Sequence, residues 1–260
     1  MNKSPEDRQR EHFDSISEKY ISSRGGEKPE AYKEVMWGRI LSKLSEFLPR
    51  ESSFTGIEPM CGNADASRRI LDYFPGAKMD AFDLSRSMLE GAVGSDESRL
   101  SVYESDILKF NKTSEYDLAL VIGGLHHIPH DTGRGVGNIR RALKKGGLFL
   151  NFEPTHNNFF FKAVRERIYK KNEIFEEESE CAFTLKEYNR LLADNGFEIL
   201  YQCYPGLIGY VLYYNPDAFP LLAVGSAATA KSFASLDMYL STSAIGRFFS
   251  FTTWTISRKK

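Results

Sequence analysis

Short apolar runs alternate with amphipathic stretches through the middle of this chain. Phe54–Pro59 reads as a strand, residues 66–74 as a helix ended by Pro75-Gly76, and residues 77–84 as a second strand. Residues 85–93 read as a helix with Ser85 as its N-cap, and Leu100–Glu104 as a third strand. The run YDLALVIG, 116–123, is almost continuously apolar, as strands buried on both faces of a parallel sheet are. A helix over 136–145, stopped by Gly146-Gly147, leads into a strand over 148–153. Alternation this dense predicts an open, doubly wound parallel sheet.

The flanks follow other rhythms. Residues 6–24 are strongly charged, with Phe13, Ile16, Tyr20 and Ile21 at helical spacing, and residues 30–48 form an amphipathic helix closed by Pro49. Residues 155–183 mix aromatic and charged positions, and 157–171 reads as a helix with an aromatic stripe, taken here as core packing ahead of an acceptor pocket. Thr184 to Glu187, TLKE, is a capping box that opens the next helix, Asn195-Gly196 ends it, and Phe197–Cys203 follows as a strand. The stretch 204–249 suggests a helical cap folded back on the sheet, with peripheral membrane contact the sharper alternative. The run FFSFTTWTIS, 248–257, has strand character.

Composition narrows the function classes. Of 260 residues 42% are hydrophobic and 27% charged, ordinary for a folded domain. The 34 basic and 35 acidic residues give a net charge of −1, which disfavours a nucleic-acid binder. Cys61, Cys181 and Cys203 make neither a disulfide framework nor a zinc ribbon. A polar start and the lack of a long apolar run point to a cytoplasmic protein with no integral membrane segment.

The chemistry gathers at strand ends. In FTGIEPMCGNA, 54–64, a strand finishes on Glu58 and breaks into a turn around Gly62 before a helix, a pattern suited to a nucleotide cofactor. An ordinary strand-to-helix turn would look the same. Asp83 ends the second strand in MDAFDLSRSML, where a carboxylate can accept both ribose hydroxyls. Asp106 follows the third strand in YESDIL, the fourth strand runs into GGLHHI, and LKKGGLFLNFEP supplies the fifth.

In order and spacing these five segments resemble the motifs of class I S-adenosylmethionine-dependent methyltransferases. The resemblance covers roughly residues 10 to 258 and is tightest over 54–154. It implies a Rossmann-like, doubly wound α/β sheet of seven strands with the last inserted antiparallel, under an N-terminal helical lid (1–52) and a C-terminal helical cap. A cofactor-binding core (53–154) and substrate-facing segments with the last strands (155–260) would complete one domain. The resemblance also implies S-adenosylmethionine as cofactor and S-adenosylhomocysteine as product. Glu58 then lies near the methionine amine, Gly62 at the centre of the turn with Met60 and Ala64 outside it, and Asp83 on the ribose with Leu84 and Met88 beside it. Asp106 and Ile107 bracket adenine, Gly123 lies below the cofactor, and Tyr20 and Arg24 resemble lid residues over its carboxylate. The family turn usually carries three glycines. Here Met60 and Ala64 replace two, and a slightly more open loop is expected.

His127 or His126, backed by Glu153 and His156, are the candidates for a general base, since all four sit at or just past strand ends. The residues leave the alternative open that no base acts, because an amine acceptor needs only in-line positioning. His126, His127, His130 and Asp131 could suggest a metal, but no distant acidic motif completes a ligand set, and none is expected. The expected acceptor is a small metabolite or a sugar of a glycan precursor, methylated on O or N. A lipid-linked acceptor and a catalytically silent, cofactor-binding partner subunit are the alternatives. A nicotinamide oxidoreductase would want G-x-G-x-x-G after the first strand, which is absent.

Overall fold

A computed structural model describes residues 14–15, 25–91, 98–157, 182–216 and 222–260. The chain builds one sheet in the order β3-β2-β1-β4-β5-β8-β7. These strands are β1 (Phe54–Pro59), β2 (Ala77–Asp83), β3 (Leu100–Glu104), β4 (Tyr116–Ile122), β5 (Leu143–His156), β7 (Phe197–Cys203) and β8 (Thr252–Lys259), with β6 (Phe183–Thr184) a two-residue pairing against the end of β5. From β3 to β5 all pairings are parallel, and β8 lies antiparallel between β5 and β7. This is the Rossmann-like order with the last strand antiparallel.

The central strands β1, β4 and β8 bury both faces, which explains their lack of polar alternation, while β3 and β7 at the sheet edges are only partly covered. On β4, Leu118 and Leu120 point into a core built with helix α1 (Glu27–Leu44) and helix α2 (Asp65–Tyr73). Ala119 and Val121 point the other way, against α4 (Thr132–Ala142) and α5 (Leu185–Asp194). The short helix α3 (Arg86–Glu90) starts where expected, with Ser85 Oγ accepting the N–H of Met88. The capping box at Thr184 and Glu187 also forms as read. Between β7 and β8 lie a π-helical turn, Tyr210–Tyr214, and helices α6 (Ala227–Leu240) and α7 (Ala244–Phe249).

Two boundaries differ from the sequence reading. The helix expected over 136–145 runs over Thr132–Ala142, and β5 begins at Leu143, ahead of the two glycines. Leu143 is fully buried and pairs with Tyr116, so packing takes it out of the helix, and Gly146 at φ +77° serves a bulge in the strand instead. Phe248 and Phe249, read as strand, end α7, because Ser243 caps that helix and Gly246 packs against the Leu240 carbonyl. Of the charged segment 6–24 only Asp14 and Ser15 are described, both helical. The expected aromatic helix over 157–171 lies outside the described residues beyond Asn157.

Candidate active site

A cavity of about 260 Å³ opens at the carboxyl ends of β1 to β4, where ligands bind in sheets of this topology. Its wall includes Glu58, Met60, Gly62, Asp83, Leu84, Met88, Asp106, Ile107, Gly123 and His127. Ten of the residues read from the sequence therefore meet at one place. Tyr20 and Arg24 lie outside the described residues.

The turn after β1 is the structural surprise. Met60, Gly62 and Ala64 all have left-handed backbones, with φ of 57°, 53° and 58°. The path that glycines make cheap is kept without two of them, at a cost of about 1–2 kcal/mol per non-glycine residue. Hydrogen bonds hold the loop in this form. Cys61 N–H donates to Phe82, Ala64 N–H to Cys61, and Gly62 N–H to Asp83 Oδ2 at 2.8 Å. Gly62 has little room for a side chain, since a Cβ would stand 3.2 Å from Met88 Cε.

Three carboxylates from three strand ends face this cavity. Glu58 is buried and accepts the backbone N–H of Ser67 at 2.8 Å and its hydroxyl, both on Oε2. Burial pushes its carboxyl up to about 8, with Asp65 and Asp83 adding repulsion and the serine bonds opposing. Such a group gains most from a cation beside it. Asp83 accepts Gly62 N–H on one oxygen and Ser85 N–H at 3.0 Å on the other, and burial raises it above the ordinary range. The carboxylate keeps accepting capacity for a ligand hydroxyl. Asp106 accepts Leu108 N–H at 2.8 Å and pairs with the exposed Lys109. Asp14, from the N-terminal segment, accepts the hydroxyls of Ser85 and Ser87 beside this wall.

Sequence reasoning missed the roof. Glu30, Lys33 and Trp37, at helical spacing on α1, line the cavity, as does Tyr214 from the π-helical turn. Lys33 lies between Glu30 at 3.6 Å and Asp65 at 3.8 Å, and Arg69 binds the same two carboxylates. The signal was present in the i, i+3, i+7 pattern, but only tertiary packing tells which helix face covers a cleft.

The four candidate bases separate. His127 is half-buried and lines the cavity. His126 is turned inward, its Nδ1 at 2.8 Å from Glu153 Oε2. Glu153 is fully buried and takes further bonds from the N–H groups of Gly124, Leu125 and His126 and from Asn151 Nδ2. It braces the turn and does not face the cavity. Burial pushes it up to about 7, against those donors. His156, at the end of β5, pairs through its backbone with Thr184 and is not part of the wall. Among the described residues no cluster of three His, Cys, Asp or Glu side chains could hold a metal, and no helix is long and apolar enough to cross a membrane.

A doubly wound sheet with acidic residues at its first strand ends, around a left-handed turn, is an architecture in which α/β proteins hold nucleotide cofactors. A methyltransferase domain model matches residues 57–149. Malonyl-[acyl-carrier protein] O-methyltransferase 2 of Ilyobacter polytropus is 28% identical over 165 residues, 62% of this chain and 61% of that protein. O-methyltransferase 1 of the same organism is 27% identical over 187 residues, 68% of each. The chain thus spans about three fifths of the first relative and two thirds of the second.

Solved structures at low identity share the fold. A protein provisionally assigned as a sarcosine dimethylglycine methyltransferase, from Galdieria sulphuraria, superposes with a TM-score of 0.64 at 15% identity, covering 86% of this chain and 85% of that one. The cyclopropane synthase MmaA2 of Mycobacterium tuberculosis gives 0.61 at 14%, covering 85% and 83%. A Haemonchus contortus phosphoethanolamine N-methyltransferase 2, solved with S-adenosylhomocysteine, gives 0.58 at 17%, covering 92% and 58%. Residues 57–149 thus match a methyltransferase domain, and the chain shares the Rossmann-like fold of these structures.

Proposed function

We propose that this chain binds S-adenosylmethionine in the β1–β4 cavity and transfers its methyl group to an oxygen or nitrogen of a small metabolite or glycan precursor. The observation that carries the reading is the set of Glu58, Asp83 and Asp106 around the turn at Met60, Gly62 and Ala64. A buried carboxyl held up by desolvation suits an ammonium, a carboxylate with spare accepting capacity suits a ribose hydroxyl, and Asp106 with Ile107 suits an adenine edge and face. When bound, the cofactor supplies an electrophilic methyl on a sulfonium. The chain's own task is then to orient the acceptor, exclude water with the α1 roof, and accept a proton at His127 if the acceptor is a hydroxyl.

A second reading, an acceptor carried on a lipid or a carrier protein, has support of its own. The largest exposed apolar side chains among the described residues, from Ile208 to Phe249, all fall in the cap between β7 and β8. Tyr214 joins that cap to the cavity. The curated relatives are named for a carrier-linked acceptor. Titration calorimetry with S-adenosylhomocysteine tests the cofactor assignment, with micromolar affinity, about −8 kcal/mol, expected. Stabilisation by NADH and none by S-adenosylhomocysteine in a thermal shift would end it.

A further inference from the structure

Four of the five contacts of the Glu153 carboxylate come from N–H donors that have no other form. Gly124 and Leu125 N–H reach Oε1 at 3.2 and 2.9 Å with Asn151 Nδ2 at 3.1 Å, and His126 offers its N–H and Nδ1 to Oε2 at 3.4 and 2.8 Å. Asn151 is oriented in turn, since its Oδ1 accepts the buried Tyr188 hydroxyl at 2.7 Å. Ionised, the carboxylate accepts all of these at once, and it then obliges Nδ1 of His126 to carry a proton. The His126 ring then lies against His127, centroid to centroid 3.9 Å. Only His127 of the two meets the cavity.

We infer that Glu153 is a positioning residue: it fixes the tautomer and pose of His126, and the His126 ring, tilted 38° against its neighbour, sets the pose of His127 at the cavity wall. This rests on the methyl-transfer reading only for its purpose, which is to aim His127 at an acceptor proton. The geometry dictates what an isosteric change does. In Glu153→Gln the amide NH₂ cannot face Gly124 and Leu125 N–H, which have no other form. It faces His126 instead, giving up the long 3.4 Å bond from that residue's backbone N–H, and there Nδ1 can become an acceptor by moving its proton to Nε2.

Nitrogen-15 histidine NMR of the whole chain, with and without S-adenosylhomocysteine, tests this. The wild type should show His126 as the Nδ1–H tautomer, and Glu153→Gln should show Nε2–H, a signature that a purely structural carboxylate would not set. His126→Phe, which keeps an aromatic ring against His127, should leave the His127 ring signals near their wild-type positions, whereas His126→Ala should move them. If Glu153→Gln does not fold, the His126 pair decides alone. The inference is overturned if His126 stays Nδ1–H in folded Glu153→Gln, or if His127 is indifferent to His126→Ala. Failure of the wild type to bind S-adenosylhomocysteine would instead sink the methyl-transfer reading and leave this coupling standing.

Discussion

The carboxylate of Asp83 accepts the backbone N–H of Gly62 at 2.8 Å, so the acid that ends β2 and the turn that follows β1 are one mechanical unit. Asp83→Ala should therefore do two things. Losing its bonds to the ligand should weaken S-adenosylhomocysteine by about 2–4 kcal/mol in titration calorimetry. Losing its bonds from Gly62 and Ser85 N–H should also cost the empty protein about 1–3 kcal/mol, read as a lower melting temperature. Unchanged affinity in a folded variant would make Asp83 a brace for the turn and nothing more.

Glu58 predicts a pH dependence with a definite sign. Its carboxyl titrates near 8 in the folded chain against an ordinary value of 4.5. The folded state holds the proton more tightly, so this contribution to stability is complete below 4.5 and is lost as pH rises through 8. The melting temperature of the empty protein should fall across that window, and Glu58→Gln should flatten the fall. An ammonium ligand needs the ionised form, so S-adenosylhomocysteine affinity should rise with pH towards 8 in the wild type. In Glu58→Gln it should be weak and flat over the same range. A wild-type affinity independent of pH would remove Glu58 from the ligand's amine.

The left-handed turn separates backbone strain from packing. At Ala64, φ is 58° and the side chain is fully buried. Ala64→Gly relieves about 1 kcal/mol of strain and gives up about 0.8 kcal/mol of methyl burial, so stability should hardly change. Ala64→Val should cost several times more, because a β-branched residue resists this backbone and finds no space. Gly62→Ala should lose about 1 kcal/mol at its φ of 53° and weaken the cofactor too. Denaturant melts of the three variants give the comparison, and equal losses would show that the turn is not strained.

His127 is the acceptor-side test. His127→Ala should lower turnover by roughly 10²-fold for a hydroxyl acceptor while leaving S-adenosylhomocysteine affinity nearly unchanged. Turnover at the wild-type level on the true acceptor would point to an amine whose lone pair needs no base.

Most of the sheet could be read in advance because its signals are local. Phe54–Pro59, Leu100–Glu104 and Phe197–Cys203 appear at their expected bounds, since short runs of strand-favouring residues between turn signals announce themselves locally. Leu143 was lost to the preceding helix because Gly146-Gly147 imitates a helix stop, and only pairing with Tyr116 reveals the earlier exit. In the cavity, the residues at strand ends were legible because topology alone delivers them there. Lys33, Trp37 and Tyr214 were not, since α1 and the π-helical turn reach the cavity only by packing across the sheet. The division of labour between His126 and His127 was equally hidden, because adjacent residues differ only in which way a short 3₁₀ turn aims them.

The antiparallel β8 has a bearing on how the molecule is made. It is clasped by β5 on one side and β7 on the other, and Ser257 Oγ reaches the carbonyl of Phe149 across 108 residues of chain. Until Thr252–Lys259 has left the ribosome, β5 lacks one neighbour and β7 has no strand to dock on. Sheet closure is thus a late, long-range step, and a nascent chain waiting for it presents unsatisfied strand edges. Expression yield and refolding rate should consequently respond more sharply to substitutions that weaken β8, such as at the fully buried Trp254, than to equally destabilising changes in β1 or β2.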